Sequence, residues 1–156
     1  MLLVGLDEAR AALASDFFKR INDRFGHSTG AEVLRRLSAI PRAHCCGTDV
    51  VARYGGEEFC IAFIEADAAV ASRLSDTLRC AVAAHDWTCV HPQLAVTLSI
   101  GIADDAHLDT HEQLLAAADR HLYLYLYLYR AKHEGKNRVC WRDIAPPANH
   151  PCATAA

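Results

Sequence analysis

An α+β fold is predicted for this chain, with a mixed, mainly antiparallel central sheet flanked by helices. Three observations carry it. Apolar residues recur at helical spacing in some stretches, as Phe18, Ile21 and Phe25 do, and alternate in others, as Val96, Leu98 and Ile100 do against Thr97, Ser99 and Gly101. The two kinds of stretch interleave along the chain. They are joined by hairpins as well as by longer crossovers, which suits helices packed on a mixed sheet.

Met1 to Leu6 is apolar enough for a short strand, and residues 7 to 14 are rich in strong helix formers. A short amphipathic helix comes next, with Ser15 or Asp16 as its N-cap and Gly26 as its stop. The free N–H groups of its first turn, beside Lys19, form a phosphate seat of the kind that every helix start offers. A second helix runs from Ser28 or Thr29 to Ile40, ended by Pro41. Val33, Leu34, Leu37 and Ile40 line its inner face, and Glu32 is placed to meet Arg35 or Arg36. Residues 42 to 49 read as a loop, Val50 to Phe63 as a β-hairpin, and Glu65 to Ala84 as a third helix. Trp87 to Val90 and Leu94 to Ala103 read as two further strands. A fourth helix begins near Thr110 with Leu114, Leu115, Ala118 and Leu122 on its apolar side, and Val139 to Trp141 is a last strand. Residues 1 to 142 thus form one domain, and 143 to 156 read as a disordered tail.

With 156 residues, of which 52% are hydrophobic and 22% charged, the chain can bury a full core without disulfide or metal staples. A formal charge of −3 gives no electrostatic case for non-specific binding to nucleic acid and leaves room only for a local basic site. Seven cysteines without paired C-x-x-C spacing argue against a disulfide framework and a zinc site, so they read as buried thiols of a reducing compartment. The N-terminus lacks a basic region and stops being apolar after Leu6, so it is neither a signal peptide nor a membrane span. The expected location is the cytoplasm. His27 reads as a capping or packing residue, and His107 with His111 lacks the further ligand of a metal motif.

The hairpin turn is the most informative stretch. In Arg53-Tyr54-Gly55-Gly56-Glu57-Glu58-Phe59 two glycines permit close backbone approach and two carboxylates put negative charge at the turn. Taken alone, it is either a seat for a divalent cation or an ordinary solvated hairpin.

Four ordered segments resolve the choice. Phe17-Phe18-Lys19-Arg20-Ile21-Asn22-Asp23-Arg24-Phe25-Gly26-His27, Val51 to Phe59, Leu98-Ser99-Ile100-Gly101-Ile102-Ala103, and Ala131-Lys132 through Gly135-Lys136-Asn137-Arg138-Val139 resemble the GGDEF domain of diguanylate cyclases. The resemblance covers about residues 3 to 141. It implies a nucleotidyl-cyclase-like fold and a reaction in which two GTP molecules are joined into cyclic di-GMP with release of pyrophosphate. The partners implied are GTP and a second copy of the domain, since each protomer of a homodimer presents one GTP. The cofactor implied is Mg²⁺ or Mn²⁺, which holds the phosphates and activates the attacking hydroxyl. The alternative reading is a catalytically inactive module that binds GTP or a partner protein.

The resemblance also implies residue roles. Glu57 matches a metal ligand and Glu58 the carboxylate that helps deprotonate the attacking hydroxyl. Gly55 and Gly56 match the turn that lets the nucleotide lie against the backbone. Asn22 matches a guanine-recognition residue, the N–H groups of Phe17, Phe18 and Lys19 match a phosphate cradle, and Lys132 and Lys136 match two cations for the terminal phosphates.

The sequence departs from the family pattern at four places. Ala14 falls where the first aspartate of Asp-x-Asp-x-Phe-Lys binds metal, which leaves Asp16, on the second, as the metal ligand beside Glu57. In the preferred alignment Leu3 to Arg10 is the opening motif, and the first helix and core strand are largely missing. In the rival alignment Met1 to Leu6 is that strand, Asp7 the ligand, and residues 8 to 15 an insertion. Ala31 replaces an aspartate that binds the guanine N–H groups. Cys46-Gly47-Thr48-Asp49 lacks the arginine of the product-inhibition motif. Finally, Leu122 to Tyr129 is a Leu-Tyr repeat that looks six residues too long. Six extra helical residues rotate the downstream chain by about 600°, a net of about 240°, which would re-aim Lys132 and Lys136. The period of two sits badly in a helix and suits a β segment.

Overall fold

The computed structural model describes residues 8–104 and 124–141. The expected strand at Met1 to Leu6, Asp7, the helix start near Thr110 and the tail at 143–156 lie outside the described residues. The α+β architecture is as expected: a five-stranded mixed sheet in the order β2-β3-β1-β4-β5, antiparallel except for the β4–β5 edge pair.

The central strand is β1, Glu8–Ser15, hydrogen-bonded to β3 on one side and β4 on the other. This corrects two expectations at once. Residues 8 to 14 are strand, not the helix that the propensity of this stretch favours, and the core strand that the preferred alignment leaves largely missing is present as β1. The reason is burial on both faces. Ala9, Ala11 and Leu13 join the main core, whereas Ala12 and Ala14 belong to a second cluster with Ala103, Leu124 and Leu128. A strand pressed from both sides reads as a continuous run of small apolar residues, and that composition is also what a helix prefers.

After β1 the chain makes a left-handed turn at Phe17 and enters α1, Phe18–Phe25, which stops at Gly26 as expected. Neither Ser15 nor Asp16 caps it; the capping position is Phe17, without a side-chain bond. Helix α2, His27–His44, runs one turn past Pro41. The missing proline N–H removes one hydrogen bond, but the buried ring packs in the core, and the Cys45 N–H closes the helix on the Pro41 carbonyl at 2.9 Å. Glu32 takes both arginines, Arg35 at 2.6 Å and Arg36 at 2.8 Å, and they hold its carboxyl down at about 2.

Strands β2, Val50–Gly55, and β3, Glu58–Ile64, form the expected hairpin. Helix α3, Ala68–Ala84, starts later than expected because Asp67 caps it, accepting from the Val70 N–H at 2.7 Å. Trp87–Cys89 is a 3₁₀ turn, not a strand; the buried indole donates to the Val82 carbonyl at 2.9 Å and so closes the end of α3. Strand β4 is Leu98–Asp104 and β5 is Val139–Cys140. Between them lies α4, helical over the described residues 124–133.

The described part of the Leu-Tyr repeat is therefore helix. A step of four residues is both two periods of the repeat and about one helical turn, so Leu124 and Leu128 fall on one buried face while Leu126 and Tyr129 are exposed. The large core lies on the face of the sheet covered by α1, α2 and α3, and α4 covers the other. Of the six described cysteines only Cys140 is buried; Cys46 and Cys89 are exposed, and the rest are intermediate. The expected set of buried thiols is corrected accordingly. Burial and the neighbouring Asp49 push the Cys45 thiol up to about 11.

Candidate functional site

The site is assembled where the β2–β3 turn meets the end of β1. Gly56 has φ of +50°, a conformation that favours glycine, and the Arg53 guanidinium donates to its carbonyl at 2.7 and 3.0 Å, fixing the turn. Gly55 is different: its φ is not in the left-handed region, and a Cβ added there would meet nothing within 4 Å. The fold itself does not require glycine at that position. Glu57 and Glu58 come next, both half-buried. The Ser15 N–H donates to the Glu57 carbonyl at 3.3 Å, and Ala14 stands opposite Glu58 in the β1–β3 register. The sheet thus places the carboxylate turn beside the Phe17–Lys19 turn that opens α1.

Asp16 has another task. Its side chain is 3% exposed, and both oxygens accept hydrogen bonds: Oδ1 from Ser99 Oγ at 2.6 Å, and Oδ2 from Thr97 Oγ at 2.7 Å and from the Asn137 N–H at 3.0 Å. The carboxylate that the resemblance assigns to a metal is spent on tying β1 to β4 and to the loop before β5. That loop carries Lys136 and Asn137, both with positive φ, and Asn137 Oδ1 accepts in turn from Arg79 at 3.0 Å. Nothing in the sequence pattern announced this network, because its members lie far apart in the chain.

Asn22 lies on α1 against α2. Its Oδ1 is buried without a hydrogen-bond partner and touches Gly30, where any Cβ would collide with it. Ala31, the next residue, is exposed. The α1–α2 junction thus holds a buried amide oxygen without a partner. Lys136 Nζ donates to the Lys132 carbonyl at 3.2 Å and lies 4.6 Å from the centre of the Phe17 ring. The loop after α4 brings Lys136 to the start of α1. Phe18 is half-buried against the core, and Lys19 is exposed.

Among the described residues no group of three or more His, Cys, Asp and Glu side chains is placed to hold a metal. Glu57 and Glu58 alone suit an ion of the magnesium type, which keeps water and substrate phosphates as most of its ligands. Two carboxylates without a third side-chain ligand do not make a closed metal site among the described residues.

The family model described as "Diguanylate cyclase, GGDEF domain" matches residues 11–138. The response regulator PleD of Caulobacter vibrioides is 39% identical over 140 residues, covering 87% of this chain and 30% of that protein. Diguanylate cyclase DosC of Escherichia coli K12 is 38% identical over 126 residues, covering 80% of this chain and 26% of the relative. The chain thus spans less than a third of the length of these two curated relatives. Among solved structures, the active GGEEF domain of a diguanylate cyclase from Vibrio cholerae superposes with a TM-score of 0.76 at 30% identity, covering 86% of this chain and 82% of that one. The GGDEF domain of DgcB from Caulobacter crescentus in complex with c-di-GMP gives 0.72 at 29% identity, with 88% and 78% covered.

Proposed function

The chain belongs to the GGDEF domain family of diguanylate cyclases, and from that premise we propose that it binds GTP at the β2–β3 turn and joins two GTP molecules, slowly, into cyclic di-GMP. The observation that carries this reading is the adjacency of the Glu57–Glu58 turn to the Phe17–Lys19 turn, fixed by the Ser15–Glu57 backbone bond. Carboxylates for the reacting hydroxyl and N–H groups for the phosphates then face one substrate.

In this reading Asn22 holds the guanine edge, Gly55 and Gly56 admit the nucleotide against the backbone, and Phe17, Phe18 and Lys19 offer N–H groups to the phosphates. Lys132 and Lys136 take the terminal phosphates. Glu57, with Glu58 beside it, would hold a Mg²⁺ or Mn²⁺ that enters with the nucleotide, and that ion supplies charge neutralisation and a more acidic hydroxyl. Glu58 accepts the proton of the 3′-hydroxyl as its oxygen bonds to the α-phosphorus of the partner's GTP and the bond to the pyrophosphate group breaks. The same exchange in the opposite sense closes the ring, which requires two protomers face to face. No helix among the described residues is long and apolar enough to cross a membrane, and a cytoplasmic site of action fits this substrate.

Incubation of the purified protein with GTP and Mn²⁺, with mass spectrometry of the products, tests the reading. Wild-type protein is expected to yield cyclic di-GMP, and Glu58→Gln to lower the rate by at least ~100-fold, the usual loss with a general base. Gly55→Ala separates folding from binding. Its thermal midpoint is expected to stay put, because nothing lies near the added Cβ, while GTP affinity falls about tenfold.

A second reading is favoured by Ala14 and Ala31. With no carboxylate opposite Glu58 and none beside Asn22, the domain binds nucleotide without turning it over. Ala31→Asp is expected to tighten GTP binding about tenfold, the worth of one charged hydrogen bond to the base edge. Calorimetry on the two proteins reads this directly, and equal affinities would remove the guanine pocket from the α1–α2 junction.

A further inference from the structure

Phe17 is placed where neither backbone preference nor burial explains it. Its φ and ψ are 58° and 25°, a left-handed conformation that favours glycine and is strained for an aromatic residue. The residue is 49% exposed, so the hydrophobic effect contributes little. What the ring does touch is charge. The guanidinium carbon of Arg20 lies 4.9 Å from the ring centre and the ammonium of Lys136 lies 4.6 Å from it, both inside the range of a cation–π contact.

The two cations come from different parts of the chain. Arg20 is one turn further along α1, while Lys136 arrives from the loop after α4, held at its next residue by the Asp16–Asn137 bond. Among the described residues neither makes an ion pair with a carboxylate. Two cations gathered at one exposed ring concentrate positive charge at the start of α1. A polyphosphate chain carries the several negative charges that such a pair of cations attracts.

We propose that the Phe17 ring is a platform that positions Lys136 and Arg20 to receive the polyphosphate of the nucleotide. Phe17 is a positioning residue: its backbone N–H faces the phosphates, and its ring acts through the two cations. The inference rests on the GTP site proposed for this domain and adds Arg20, which the sequence pattern did not single out.

Three variants test it. Phe17→Leu keeps bulk and removes the π face, Phe17→Tyr keeps the face, and Phe17→Gly relieves the backbone. Without ligand, the ε-methylene resonances of Lys136 are expected to carry a ring-current shift in wild type and Phe17→Tyr that vanishes in Phe17→Leu. With inorganic tripolyphosphate and with GTP, calorimetry is expected to show affinity about fivefold weaker in Phe17→Leu and restored in Phe17→Tyr, the scale of one or two exposed cation–π contacts. Phe17→Gly is expected to melt higher than wild type and yet bind both probes more weakly, a split that a merely structural role does not produce. Equal affinities in wild type and Phe17→Leu, or a Lys136 resonance unmoved between them, overturn the platform and leave the GTP site standing. Wild-type protein that binds tripolyphosphate but not GTP, with the Phe17→Leu loss intact, supports the platform and overturns the guanine reading. Binding of neither probe overturns both.

Discussion

Replacing Gly101 by alanine is expected to detach α4 from the sheet and lower stability by about 3 kcal/mol, in the upper range for overpacking. Gly101 sits on β4 under the helix, and a Cβ there would meet the Leu128 nitrogen, the Leu124 carbonyl oxygen at 2.6 Å and the Tyr127 carbonyl carbon at 2.8 Å. All three are backbone atoms, so no rotamer change relieves the clash; the helix itself has to move outward. That movement opens the small cluster of Ala12, Ala14, Ala103, Leu124 and Leu128. For a chain of this length about 3 kcal/mol corresponds to roughly 6–12 °C in the thermal midpoint. Hydrogen exchange locates the damage: protection is expected to fall across 124–133 and to persist in α2 and α3. Gly47→Ala is the control, since nothing lies within 4 Å of a Cβ there. A Gly101→Ala protein with unchanged midpoint and unchanged protection in α4 would show that the helix does not press on β4.

The cases of β1 and α4 show what the sequence can and cannot reveal. The α+β class, α1, α2, the hairpin and α3 were legible because each carries a local signal: a period, a cap, a glycine stop or a turn. β1 was not, because a central strand covered on both faces loses its alternation and keeps only small residues, which also make helices. The Leu-Tyr repeat misled for the opposite reason. Its strict alternation is a strand signal, yet the same repeat presents leucine every fourth residue, and packing on Gly101 selects the helix. Within the site, the carboxylates at Glu57 and Glu58 and the amide at Asn22 were legible as a motif. The environment of Asp16 was not, since its partners Thr97, Ser99 and Asn137 come together only through the sheet. Phe17 was legible as part of the motif; Arg20 was not singled out, and the ring contact that joins it to Lys136 depends on the loop before β5.

Asp16→Ala is the second change with a large expected effect, and it separates the two roles open to this residue. Deleting the carboxylate leaves the Asn137 N–H, Ser99 Oγ and Thr97 Oγ without their acceptor, the first and last partly buried and Ser99 fully so. The hydroxyls can turn to other partners, but the backbone N–H cannot. The net loss is about 3 kcal/mol, with hydrogen bonds to a charged group at about 1.5–3 kcal/mol each and the released desolvation of the carboxylate offsetting part of their sum. Asp16→Asn keeps one acceptor oxygen for the Asn137 N–H, and the amide NH₂ can donate to a reoriented hydroxyl; a loss of about 1 kcal/mol is expected, the worth of one ordinary hydrogen bond. A structural latch therefore predicts a graded loss of thermal midpoint without any metal present, alanine well below asparagine. It also predicts weaker binding of tripolyphosphate in Asp16→Ala, because the Lys136–Asn137 turn loses its anchor. A metal ligand predicts the reverse: both variants melt like wild type in chelator and differ from it only when Mn²⁺ and GTP are added. Melting curves in chelator decide between the two, and the depth at which Asp16 is buried makes the graded loss the expected result.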